Sequence, residues 1–246
     1  MIIDFHSHAF PDALAPHAMA AMMGGHSFPT GTDGSVTGLR TGMADAGIDL
    51  TVVQPVCTNP LKLSKLNDIS IARAGDISDG LLYFGAMHPA APNWKEELRR
   101  LADGGVKGVK LHPGYQRAYM DDPAYLAIME YAAELGLIVL AHTNPLLHRH
   151  PSTKFAPPWR VAKALRAVKG SGLAFVAAHL GGCKSYDEVM EHYADLDCYF
   201  DLSEALTWPA DPDDPDFVLP PAKDLLRVIR TLGVGNNTYP NLSKPF

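Results

Sequence analysis

The chain has 246 residues, 47% of them hydrophobic and 20% charged, which excludes wholesale disorder and low-complexity architecture and suits one large α/β domain. With 21 basic against 27 acidic residues the net charge is −6, and no Lys/Arg cluster could follow a phosphate backbone, so nucleic acid is not an expected partner. No apolar run approaches the roughly 20 residues that cross a bilayer, and no basic leader opens the chain, so a cytoplasmic protein with a small-molecule substrate and no membrane partner is expected.

Short apolar runs rich in β-branched residues alternate with amphipathic stretches, the pattern of a parallel sheet. In chain order the predicted strands cover residues 1–5, 50–56, 82–87, 109–111, 137–141, 173–178 and 198–202, with helical patterns such as 94–102, 123–135 and 159–168 between them. Seven such units in this length predict an α/β fold of the TIM (β/α)8-barrel type, whose chemistry gathers at the C-terminal ends of the strands. No GxGxxG follows the first strand, which argues against an open doubly wound sheet. Two long connections, 11–34 and 145–158, lie on the strand-exit side and carry His17, His26, His148 and His150, read as solvated loop residues.

The first strand ends Asp4-Phe5-His6-Ser7-His8, and a period of two puts Asp4, His6 and His8 on one face. Imidazoles at i and i+2 suit zinc, iron or manganese, with further ligands from other strands. An HxH pair recurs by chance, and position adds the weight: His142 ends the predicted fifth strand and His179 the sixth, so four histidines fall on one rim. The fourth strand places Lys110 and His112 on one face, where a cation would attract a carboxylate-bearing substrate or pair with a carboxylate inside the barrel. His88, after the third strand, and Tyr115, after the fourth, are substrate-binding candidates; for His88 the alternative is a loop-capping side chain. The three cysteines (Cys57, Cys183, Cys198) are too widely spaced for a CxxC zinc site, and Cys57 reads as a small buried hydrophobe.

The segments IIDFHSH, GVKGVKLHP, LAHTN and AAHLGG resemble the metal-dependent amidohydrolase superfamily, in the branch joining small hydrolases to aminocarboxymuconate semialdehyde decarboxylase-like enzymes; the resemblance covers about residues 1–233. It implies a divalent metal ion, zinc first with manganese or iron as alternatives, held by His6, His8 and His142, with His179 acting on the substrate or the attacking water. A divalent ion lowers the pKa of bound water and polarises a carbonyl oxygen. The implied activity is hydrolysis of a small carboxylated substrate; the alternative is non-oxidative decarboxylation of an unsaturated or aromatic acid. In binuclear relatives a fourth-strand lysine is carbamylated, an option that stays open for Lys110.

The resemblance departs at its end. The family's eighth strand closes on a metal-binding Asp, whereas here no Asp follows Asp224 and residues 234–246 are turn formers and prolines. The sequence therefore divides into a barrel domain, 1–233, and an atypical tail, 234–246, as a truncation or frame change would produce. Glu204 and Asp201, after the seventh strand, are candidates to substitute for the missing carboxylate. An alternative of another class follows, a catalytically impaired barrel that retains metal or ligand binding. An open seam between first and seventh strands would favour a homodimer.

Overall fold

The computed structural model describes residues 1–23, 32–143, 151–182, 185–203 and 205. His26, His148, His150, Cys183, Glu204, the expected site of an eighth strand and the tail 234–246 lie outside these residues. The order is β1 (Ile3–Ser7), α1 (Ala15–Met23), α2 (Val36–Ala46), β2 (Leu50–Val53), α3 (Leu63–Arg73), β3 (Leu81–Tyr83), β4 (Gly85–Ala86), α4 (Trp94–Asp103), β5 (Gly108–Leu111), α5 (Pro113–Gln116), α6 (Pro123–Glu134), β6 (Ile138–Ala141), α7 (Pro158–Ala167), β7 (Phe175–Ala177), α8 (Tyr186–Tyr193) and β8 (Tyr199–Phe200). Every described strand pair is parallel.

The strands run β1-β2-β3 and β4-β5-β6-β7-β8 in two hydrogen-bonded sets. The predicted third strand is the hinge between them. Its first half, β3, pairs with β2, and its second half, β4, pairs with β5. Phe84, between the two, still donates its N–H to the Val53 carbonyl at 3.0 Å, so one apolar run serves both neighbours in turn. The predicted second strand shortens to Leu50–Val53. Gln54 still donates to the Ser7 carbonyl at 2.8 Å, but Pro55 has no N–H to extend the ladder.

Alternate strand residues divide between two cores. Phe5, Val52, Leu82, Phe84, Ile138, Leu140, Val176 and Ala178 form one cluster, contributed by strands and strand ends alone: the barrel interior. Val109, Leu111, Val139, Ala141, Phe175 and Ala177, one position out of phase, pack instead with Leu98, Leu101, Ile128, Val161 and Leu165 of the surrounding helices. The helices follow from local signals. In α2, Ser35 accepts from the Gly38 N–H at 2.8 Å, and Gly47 ends the helix in the left-handed region (φ 66). Proline opens α6 and α7 at the first turn, where no intrahelical partner for its nitrogen is needed. These layers fix the strand exits around one end of the barrel.

Candidate metal centre

The site begins with an irregularity. Between Asp4 and Ser7 the register of β1 against β2 shifts, and strict alternation fails. Phe5 packs edge-on against Phe84 in the barrel interior (5.8 Å between rings), and the next residue, His6, also reaches inward, its Nε2 lying 2.7 Å from the Lys110 Nζ. The expectation that Asp4 joins the histidines on one face is corrected here. Its carboxylate turns back on the strand, accepting the His6 N–H at 3.1 Å and the Ser7 hydroxyl. His6 and His8 do converge, with ring centroids 5.1 Å apart. His8 stands exposed at the mouth, and its Nδ1 lies 2.6 Å from the Gln54 carbonyl.

On β5 and at its exit, buried Lys110 and His112 follow each other on the inward face. The His112 ring is stacked between Tyr115 (3.9 Å) and His142 (4.1 Å), both nearly parallel to it. Gln116, one turn on, braces this rim: its Nε2 donates to the Cys57 carbonyl (2.9 Å) and the Met87 carbonyl (2.6 Å), while its Oε1 accepts from the His112 N–H and the Tyr125 hydroxyl. Three strand exits are thereby tied to α6.

His142 leaves β6 with its Nδ1 2.9 Å from the Nε2 of His179, which leaves β7. His179 and Leu180 both adopt left-handed backbone (φ 58 and φ 54), a conformation that costs a non-glycine residue about 1–3 kcal/mol and persists where the surroundings enforce it. Asp201, after β8, does so: its carboxylate accepts the His179 N–H and its carbonyl the Leu180 N–H, both at 2.9 Å. The glycines that follow give the turn room. At Gly182 an added Cβ would stand 2.8 Å from Pro158.

The hydrogen bonds fix the ring tautomers by elimination. His8 donates from Nδ1 to a carbonyl, leaving a lone pair on Nε2. His6 donates from Nδ1 to Asp201 at 2.8 Å, and its Nε2 accepts from Lys110. His179 donates from Nδ1 to the Ser203 carbonyl at 3.0 Å, so its Nε2 is the acceptor for the His142 Nδ1–H, and His142 in turn keeps its lone pair on Nε2.

Electrostatics hold His6, His142 and His112 neutral. Burial, then the Lys110 ammonium, lowers the His6 pKa to about 4 against the opposing pull of Asp201. Burial likewise holds His142 and His112 well below the ordinary imidazole value, with neighbouring histidines and Lys110 adding to it. Burial alone would raise Asp201, but the charge that His6 takes on in acid, with the hydrogen bond from its ring, outweighs it and holds the carboxyl below its usual range.

The structure thus brings His6, His8, Lys110, His112, His142, His179 and Asp201 to one rim. Tyr115 stands at its edge, half-exposed against His112. His88 is buried and its Nδ1 accepts the Ala90 N–H at 3.1 Å, a turn-capping arrangement. Glu204 lies outside the described residues. Sequence reasoning passed over Ser203, Gln54 and Gln116. The clue to Ser203 was its place two residues after Asp201 at a strand exit; the glutamines carried no spacing signal.

Residues 3–231 match the family described as amidohydrolase. The chain belongs to that family. A search of curated proteins finds no match in sequence. Among solved structures, the probable 2-pyrone-4,6-dicarboxylic acid hydrolase from Acinetobacter baumannii, with citric acid bound, is 16% identical with a TM-score of 0.59, over 98% of this chain and 85% of that one. The 5-carboxyvanillate decarboxylase of Sphingomonas paucimobilis is 14% identical with a TM-score of 0.61, over 96% and 86%. A 5-carboxyvanillate decarboxylase variant from Novosphingobium aromaticivorans, with bound manganese, is 17% identical with a TM-score of 0.54, over 74% and 66%. The family barrel is therefore the fold of this chain.

The residues fit a divalent cation by their own chemistry. Neutral imidazoles whose Nδ1–H is tied to a carbonyl, a carboxylate or another ring carry their lone pair on Nε2, the arrangement usual around metal-ligating histidines; at His6 that lone pair accepts from Lys110, which an ion would have to displace. Among the described residues, the candidate ligand atoms that lie within 4.8 Å of one another are those of His6, His179 and Asp201, a group that does not include His8 or His142.

Proposed function

We propose that this chain is a metal-dependent hydrolase acting on a small carboxylated substrate, with His6, His8 and His142 holding the ion, zinc before manganese or iron, and His179 handling the proton. The observation that carries the reading is the shared tautomer of those three rings: each has its Nδ1–H engaged by a protein partner, which puts its lone pair on Nε2. When bound, the ion supplies an activated water and polarises the substrate carbonyl. The chain's own groups do the rest. Lys110, buried beside His6, presents a positive charge to a carboxylate entering the mouth. His179, held in its left-handed turn, exchanges a proton at Nε2. His112 and Tyr115 form a flat aromatic wall.

That wall supports a second reading, decarboxylation of a planar unsaturated or aromatic acid, as do the decarboxylases among the similar structures. Both readings need the ion, so chelation should abolish turnover and added metal should restore it. Carbon dioxide release from an aromatic acid would choose decarboxylation; release of an acid and an alcohol or amine from an ester, lactone or amide would choose hydrolysis. Turnover that survives complete chelation contradicts both.

A further inference from the structure

We infer that Asp201 and Ser203, after β8, are the positioning residues of this centre: together they fix which nitrogen of His6 and of His179 carries the proton. The inference rests on reading the site as a metal centre only for its consequence, since the network itself is a property of the metal-free chain.

Asp201 offers only lone pairs when ionised. Its Oδ2 faces the His6 Nδ1 at 2.8 Å, and its Oδ1 takes the Ser203 hydroxyl at 2.5 Å, the His179 N–H at 2.9 Å and the Ser203 N–H at 3.1 Å. The single hydroxyl proton of Ser203 is directed to Asp201, so its Oγ can only accept from the two ring nitrogens it touches, the Nδ1 of His6 and of His179, each at 2.9 Å. An oxygen without a proton to give requires both rings to carry theirs on Nδ1. The consequence then passes along the rings. His6 is left with Nε2 as acceptor for Lys110, and His179 with Nε2 as acceptor for the His142 Nδ1–H.

This account makes Asp201 act through His6 rather than as a ligand. Both of its oxygens already serve protein donors, and one of those donors is the backbone N–H that keeps His179 in its left-handed turn. Replacing Asp201 with an apolar residue would free the Ser203 hydroxyl to donate to either ring and let the tautomers mix.

The test is a long-range proton–nitrogen correlation spectrum of the metal-free, histidine-labelled chain under mildly alkaline conditions, with metal uptake measured in parallel by calorimetry. His88 serves as the internal reference, because its Nδ1 accepts a backbone N–H and its proton must sit on Nε2. The expected spectrum has His6, His142 and His179 protonated on Nδ1. Asp201→Ala should mix the His6 and His179 tautomers and weaken metal affinity about 10- to 100-fold, the usual cost of losing such a partner. Ser203→Ala should move both readouts the same way by less, and Ser203→Thr should restore them. A wild-type spectrum with His6 protonated on Nε2 overturns the proposal, as does a folded Asp201→Ala chain with unchanged tautomers. If Asp201→Ala does not fold, the wild-type spectrum and Ser203→Ala decide it. Correct tautomers in a chain that takes up no metal would sink the metal centre and leave the network standing.

Discussion

The barrel interior changes character within two residues of the same strand. On β6, Ile138 and Leu140 belong to the apolar cluster of Phe5, Phe84 and Val176, while the next inward position is His142, in the ring network. On β1, Phe5 packs on Phe84 and His6, its neighbour, meets Lys110 and Asp201. The lower layer excludes water and holds the strands; the upper layer concentrates lone pairs. The difference teaches a division of labour: the same backbone supplies rigidity below and chemistry above, so each layer should be removable with little effect on the other's readout.

The largest expected effect lies in the upper layer. A His6→Ala/His8→Ala variant should lose stoichiometric metal and all turnover while keeping its circular dichroism, because neither imidazole belongs to the apolar cluster; retained metal would break the comparison. Next comes the lower layer. Leu140→Ala should destabilise the fold by about 2–5 kcal/mol in chemical denaturation, with metal stoichiometry unchanged.

Acid should act on the upper layer alone. Because the folded His6 pKa sits near 4, below the unfolded value of 6.5, the unfolded chain binds more protons between them. Stability of the metal-free protein should therefore be full above the unfolded value and fall on acidification from 6.5 toward 4, by on the order of 3 kcal/mol from His6. A denaturation midpoint independent of pH across that window would contradict the neutral ring. The smallest effect is expected at Lys110. Lys110→Met removes a cation from beside His6 and should tighten metal binding by ~10-fold, a charge repulsion of more than ~1.4 kcal/mol at this range, while raising KM for a carboxylated substrate. Unchanged KM would remove Lys110 from substrate binding.

The two layers were not equally legible in the sequence. Val139-Leu140-Ala141 and Phe175-Val176-Ala177 announce buried parallel strands by composition, and the run 82–87 was visible as a strand, although its division between two neighbours was not, since pairing partners leave no mark on an apolar run. The histidines at the exits were legible through position. The register shift in β1 was not, because Ser7 and Asp4 follow the same alternation whether or not the strand bulges there. Orienting partners were the least legible part. Ser203 and the Gln54 carbonyl matter through contacts across 197 and 46 residues of sequence, which no local period encodes. That no Asp follows Asp224 was plain in the letters, and the described residues place Asp201 where its carboxylate meets His6.

The central claim is that three imidazoles, His6, His8 and His142, hold a divalent ion above an apolar floor. Elemental analysis of the chain purified without chelator, beside its His142→Ala variant, tests it most directly. The account predicts about one zinc, manganese or iron per chain, lost in a variant that remains folded. Equal metal in both, or none in the wild type after exposure to each ion, would contradict it.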